Sequence, residues 1–145
     1  DVVGQVASLH QRALLTDQQA QAVEVRALER FLSSPLAGEI RKSSRVLRED
    51  RFTLLVDARR YDPAAAEGET ILLQGVVDCC FESGAGLTVV DFKTDHADTP
   101  EQLRERHANQ LNAYARIVSR ITGIPLERIT RTIVSTCLKE TIPIQ

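Results

Sequence analysis

Two apolar, β-branched runs on either side of a Gly-containing tetrapeptide dominate the hydropathy pattern. Gln74-Gly75-Val76-Val77-Asp78-Cys79-Cys80-Phe81 and Leu87-Thr88-Val89-Val90-Asp91-Phe92-Lys93-Thr94 flank Ser83-Gly84-Ala85-Gly86. This is the pattern of two antiparallel strands joined by a short turn. Pairing Ser83 with Gly86 around a Gly84-Ala85 turn sets Asp78 opposite Asp91, with Cβ atoms about 5 Å apart. Lys93, two residues beyond Asp91, falls on the same face.

The rest of the chain is patterned around this hairpin. Val2, Val3, Val6, Leu9 and Ala13 recur at helical spacing and predict a first helix ending near Leu15. Thr16-Asp17-Gln18-Gln19 resembles a capping box, and Ala20, Val23, Ala27, Leu28, Phe31 and Leu32 form one face of a second helix. Ser33-Ser34-Pro35 stops it and opens a short helix through Arg41. Val46 to Val56 reads as a strand, and Asp57 to Glu69 as a polar hairpin connection without periodicity. Thr99-Pro100-Glu101-Gln102 starts a long helix that ends at Gly123 and Pro125. Leu103, His107, Leu111, Tyr114, Ala115, Val118 and Ile121 mark its inner face. Ile129 to Cys137 and Thr141 to Ile144 read as one strand and a fragment of another. Helices, three strands, a helix and one or two further strands make a mixed α/β domain.

Composition changes this picture little. The 145 residues are 43% hydrophobic, enough to bury a core in one domain. A net charge of -2 gives no bulk attraction for a polyanion, so any nucleic acid would have to bind a local patch. Arg41, Lys42, Arg45, Arg48 and Arg51 are candidates for such a patch, or simply a solvated face. Cys79, Cys80 and Cys137 lack metal-ligand or disulfide spacing; they read as small buried hydrophobes and suit a reducing cytoplasm. No apolar run approaches the length of a membrane span, and the N-terminus lacks a signal-peptide layout.

The hairpin carries the chemistry. Facing carboxylates repel unless a cation or proton lies between them. Two carboxylates and a nearby backbone carbonyl make an oxygen-rich cluster suited to Mg²⁺ or Mn²⁺. A lysine beside them can hold a water or neutralise a phosphate, which together are parts for phosphodiester hydrolysis. The bland alternative is that Asp78 and Asp91 end their strands in solvent, with Lys93 as a pairing cation.

The series Gly75-Val76-Val77-Asp78, Val90-Asp91-Phe92-Lys93-Thr94 and Gln110-Leu111-Asn112-Ala113-Tyr114 resembles the Gly-x-x-Asp, Asp-x-Lys and Gln-x-x-x-Tyr motifs of RecB-type nucleases in the PD-(D/E)XK superfamily. Phe31-Leu32-Ser33-Ser34-Pro35-Leu36 and Arg48-Glu49-Asp50-Arg51-Phe52 are similar to flanking segments of the C-terminal nuclease domain of AddA-type subunits of bacterial ATP-dependent helicase-nucleases. The resemblance implies a restriction-endonuclease-like mixed sheet of about four to five strands flanked by helices. It implies Asp78, Asp91 and the Phe92 carbonyl as ligands of Mg²⁺, for which Mn²⁺ can substitute. Lys93 would activate water or neutralise phosphate, and Gln110 and Tyr114 would brace the site or touch DNA, unless they serve only helix-to-sheet packing. Glu49 matches an acidic position on the first strand, with Asp50 an equal candidate.

The same resemblance implies a cytoplasmic DNase domain that processes double-strand breaks for recombination repair. It would cut single strands fed from a helicase motor, joined to the rest of an AddA-type chain and an AddB-type partner subunit, with no membrane involved. The family also supplies a histidine in an upstream Gly-Thr-x-x-His setting that His10 does not reproduce. The expectation is therefore a single nuclease domain, 1–145, from the C-terminal part of a larger chain. It would lack its first metal-ligand helix and be weakly active or inactive alone. No Walker-type phosphate loop is present, so ATP hydrolysis belongs to another region. The rival readings are an inactive nuclease-fold module for DNA binding or subunit contact, and a small-molecule phosphodiesterase.

Overall fold

In a computed structural model, which describes residues 1–84 and 86–145, one five-stranded sheet carries helices on both faces. Four helices come first: α1 (Val2–Gln11), α2 (Asp17–Ala22), α3 (Val25–Leu32) and α4 (Pro35–Lys42). Strands β1 (Val46–Asp57), β2 (Thr70–Ser83) and β3 (Gly86–Lys93) follow, then α5 (Pro100–Thr122), β4 (Ile129–Ser135) and β5 (Glu140–Ile144). Sheet order matches chain order; β3 and β4 pair in parallel and every other pair is antiparallel. The single parallel step is the one spanned by α5, as a crossover connection requires. This is the α/β fold expected of a PD-(D/E)XK domain.

Local chemistry explains the helix ends. Thr16 and Gln19 form the expected capping box, and the Ser34 and Thr99 side chains accept the backbone N–H groups of Ala37 and Gln102. Gly123 closes α5 in the left-handed region at φ 74°, a conformation that glycine adopts without the Cβ penalty. One expectation fails: the second helix is two helices, broken where Val23 is extended and Glu24 offers no side-chain cap. The break lets α3 aim Ala27 and Phe31 inward, and the Phe31 ring meets Phe92 of β3 edge-on at 5.3 Å. Tertiary packing outweighs helix continuity here.

Two core layers sandwich the sheet. On one face Phe52, Val77, Cys80, Leu87 and Val89 pack beneath Ala115, Ile117 and Val118 of α5. On the other, Cys79, Phe81, Val90 and Val134 pack against Ile40 of α4. Cys79 and Cys80 are buried, and burial pushes the Cys80 thiol up to about 11, so both act as small apolar side chains. Ile121, expected on the inner face of α5, is exposed, and Ile117 takes the buried place, because the last turn borders an open cleft of about 510 Å³.

The register puts Ser83 opposite Gly86 and Cys79 opposite Val90, and continued by one residue it sets Asp78 across from Asp91. Gly84 has φ 53°, while the Ala85 half of the expected turn lies outside the described residues. Leu47 and Phe52, five apart, nevertheless both belong to the α5-facing layer, as do Val77 and Cys80, three apart. Strict alternation forbids this, so inward and outward sides exchange on both strands between these positions. Arg48↔Cys79 and Asp50↔Val77 bracket the change, and between them Glu49 has φ 50°. A residue outside the extended region kinks and twists the strand locally, and this kink falls beside Asp78.

Candidate active site

Three elements converge at the C-terminal end of β3. Asp91 is 3% exposed and Lys93 Nζ lies 2.7 Å from its Oδ2. The ammonium and the carboxylate form a largely buried ion pair there. Asp78, on the neighbouring strand, accepts the Phe92 N–H through Oδ2 at 2.9 Å. Burial raises the Asp91 pKa above the ordinary carboxylate range; Lys93 pulls it down, and Asp78 adds to the rise. A carboxyl raised in this way stabilises the fold most at low pH, and that contribution is lost as pH rises through its folded pKa. Burial works against the charged form of this carboxyl, and a cation beside it favours that form.

The Phe92 carbonyl faces the same opening. N–H and C=O of one strand residue point to one edge, and the Phe92 N–H points to Asp78. The Lys93 carbonyl points the other way, accepting from the Thr136 N–H at 3.1 Å. Asp78, Asp91 and the Phe92 carbonyl therefore offer three hard oxygen donors around one opening, a set that fits Mg²⁺ or Mn²⁺.

Glu49 is not drawn into this set. It is exposed at its kink, and among the described residues no third His, Cys, Asp or Glu joins Asp78 and Asp91. Asp50 lines the cleft near Leu47 and Val118 instead. The strand kink accounts for both positions, since strict alternation would have put Glu49 on the same side as Asp78.

Gln110 and Tyr114 reach the site as a relay. Lys93 Nζ donates to Gln110 Oε1 at 3.0 Å, and Gln110 Nε2 donates to the Tyr114 hydroxyl at 3.0 Å. Four residues apart on α5, these two side chains are neighbours on the helix surface. The Tyr114 ring packs edge-on against Phe52 at 5.8 Å. Phe52 in turn pairs with Gly75, where an added Cβ would lie 2.4 Å from the Phe52 ring. Gly75 therefore seats the aromatic pair that anchors the relay, a link invisible in sequence because it crosses three elements. Gly75→Ala is expected to displace Phe52 and destabilise the fold by about 2 kcal/mol. Urea unfolding measures that loss, and Phe52→Leu in the same chain should recover part of it.

Behind the site, Asp95 accepts from His107 Nε2 at 3.1 Å and Arg106 Nη1 at 3.3 Å, tying the β3–α5 loop to the helix. The His107 hydrogen bond is the main reason that its carboxyl lies below the usual range. The stabilisation is present above the unfolded carboxylate pKa and fades as pH falls through the folded one. The melting-temperature gap between the unsubstituted chain and Asp95→Asn should thus be steady near neutrality and close at acid pH. His96 and Cys137 also meet, with Sγ 3.6 Å from Nδ1, away from the paired carboxylates. His10 bonds Asp17 at the N-terminal helices.

Over residues 4–140 the chain matches the family model described as the PD-(D/E)XK nuclease superfamily. The chain belongs to the PD-(D/E)XK nuclease superfamily. It is also similar to proteins named as subunits of ATP-dependent helicase/nuclease. The protein from Acetivibrio thermocellus is 40% identical over 129 residues, covering 85% of this chain and 10% of the relative. That from Heliobacterium modesticaldum is 36% identical over 134 residues, covering 87% and 10%. That from Bacillus pumilus is 33% identical over 130 residues, covering 83% and 10%. The chain thus spans about a tenth of the length of these curated relatives. Among the described residues no helix is long and apolar enough to cross a membrane.

In the sequence, Arg41 and Arg48 stand out only as part of a basic run. In the fold they line, with Asp78 and Phe92, a cavity of about 230 Å³ beside the carboxylates. No spacing rule finds this, because Arg41 comes from α4 and Arg48 from β1.

Proposed function

We propose that this domain hydrolyses DNA phosphodiester bonds with a divalent metal ion held by Asp78, Asp91 and the Phe92 carbonyl. The observation that carries the reading is the buried Asp91 carboxylate beside Asp78, with Lys93 Nζ 2.7 Å from its Oδ2. When bound, Mg²⁺ would supply charge stabilisation for the phosphate and lower the pKa of a water. Lys93 would hold the attacking water or a non-bridging phosphate oxygen. Its contacts to Asp91 and Gln110 fix the ammonium, so little reorganisation is needed as charge builds. Hydrolysis then joins the water oxygen to phosphorus, breaks one phosphorus–sugar oxygen bond, and leaves a proton on the departing oxygen. Gln110 and Tyr114 act as positioning residues through Lys93.

The names of the relatives support a wider setting. In that reading the domain is the nuclease module of an AddA-type chain in the cytoplasm, paired with an AddB-type subunit. It receives single strands from a helicase motor and trims DNA ends for recombination repair. One observation favours the second reading, an inactive module for DNA binding or subunit contact: the described residues bring only two acidic side chains to the site. The separating test is cleavage of 5′-labelled single-stranded DNA with Mg²⁺, Mn²⁺ or chelator, using this chain and the longer protein that carries it. Cleavage by the longer protein that needs the ion supports the nuclease; metal-independent or absent cleavage supports the inactive module.

A further inference from the structure

A second pocket lies on the α5 face of the sheet, away from the carboxylates. It has a volume of about 290 Å³ and opens between α5 and the part of the β1–β2 hairpin that extends past β3. Its wall carries Arg60, Arg116 and Arg120, with Tyr61, Asn109 and Asn112, and no acidic side chain among the described residues lines it. None of the three arginines forms an ion pair among the described residues. In a chain of net charge -2 this concentration of unpaired positive charge is local. Tyr61, on the same wall, is 57% exposed.

The three guanidiniums present only donors, and Asn112 adds another. Arg131 Nη1 donates to Asn112 Oδ1 at 2.6 Å, while the buried Arg131 Nε has no partner. With its oxygen taken, Asn112 has its amide nitrogen left for the groove. Arg116 and Arg120 are four residues apart, so they rise roughly 6 Å along the helix. That is close to the separation of successive phosphates in an extended strand. Asn112, Arg116 and Arg120, at spacings of four, form one row on α5 along the pocket wall.

We infer that this groove binds the single-stranded DNA flanking the cleavage site. Arg60, Arg116 and Arg120 contact successive phosphates, and Tyr61 stacks on a base. The inference rests on the nuclease reading and deepens it by giving the strand a path. Unpaired guanidiniums suit phosphate, and an exposed aromatic ring beside them suits a base in a sequence-tolerant way. It also assigns a role to the hairpin connection Asp57–Glu69. There the 3₁₀ turn Ala58–Arg60 and the Ala58 N–H bond to the Glu69 carbonyl at 2.9 Å present Arg60 and Tyr61 toward α5.

The test measures fluorescence anisotropy of a labelled oligothymidylate with the chain in chelator, across salt concentrations. The variant carrying Arg60→Gln, Arg116→Gln and Arg120→Gln should bind at least about tenfold more weakly, with the single-strand salt slope reduced by about 2. Neutralising Arg12, just past α1, and Arg26 and Arg30, on α3, loses the same charge and should have little effect. Tyr61→Ala should weaken binding about fivefold or more, and an iododeoxyuridine oligonucleotide should crosslink to Tyr61.

Equal effects of the two triple variants, no binding by the unsubstituted chain, or equal competition by polyglutamate would each overturn the inference. Asp91→Ala in the longer protein separates the two readings. If it abolishes cleavage while the groove variants bind normally, the groove fails and the nuclease stands. If it cleaves normally, the nuclease reading fails whatever the groove does.

Discussion

Asp91→Asn is expected to lower Mg²⁺-dependent cleavage of single-stranded DNA by about 10³-fold or more in the longer protein, and Lys93→Ala by about 10²- to 10³-fold. The two losses should differ in kind. Asparagine keeps the shape of Asp91 but removes the charge that a cation would meet, so the ion-induced rise in melting temperature should disappear. Ion saturating the unsubstituted site at about 100 times its dissociation constant would stabilise it by about 2.7 kcal/mol. Lys93→Ala leaves both carboxylates in place, so the thermal shift should survive while turnover falls. Without the ion, this variant also leaves the buried Asp91 carboxylate without its counter-charge, so its melting temperature should fall furthest in chelator. Single-turnover cleavage and thermal melting with and without Mg²⁺ read these outcomes. Loss of turnover alone in both variants would mean that Asp91 is not a ligand.

The second large effect is structural. Leu111 is fully buried between Gln110 and Asn112, packed with Leu103, Ala97, Ile133 and Ile142. It fastens α5 to β4 and β5 one residue from the Lys93 contact. Leu111→Ala should cost about 2–5 kcal/mol, the lost transfer energy plus the cavity left behind. At about 3 °C per kcal/mol for a domain of this size, the melting temperature should fall by roughly 6–15 °C. Leu111→Met nearly conserves volume and should cost less than about 1.5 kcal/mol. The pair tests whether α5 is held by packing or by its polar relay; similar melting temperatures for the two variants would point to the relay.

Much of this architecture is written locally in the chain. The register of β2 and β3 follows from a short turn and two apolar runs, and the Thr16, Ser34 and Thr99 caps are contacts within three residues. The break at Val23–Glu24 is not local: no Gly or Pro marks it, and its reason is the fit of Phe31 onto Phe92. The exchange of faces around Glu49 is hidden for a related cause. It needs a left-handed backbone at a glutamate, which no turn signal announces.

The candidate site divides in the same way. Asp78, Asp91 and Lys93 share one hairpin, so spacing alone brings them together. The Gln110–Tyr114 contact follows from helical spacing, but its connection to Lys93 needs the crossover helix to land over β3. The Gly75–Phe52–Tyr114 stack and the arginines of the two pockets depend on strands and helices distant in sequence.

The central claim is that Asp78, Asp91 and the Phe92 carbonyl form a hard-metal site beside Lys93. A crystal of this chain soaked in Mn²⁺ and measured at the manganese absorption edge tests it most directly. The account predicts one anomalous peak in contact with both carboxylates and the Phe92 oxygen, absent from Asp91→Asn crystals. A peak elsewhere, or none at that opening, would contradict it.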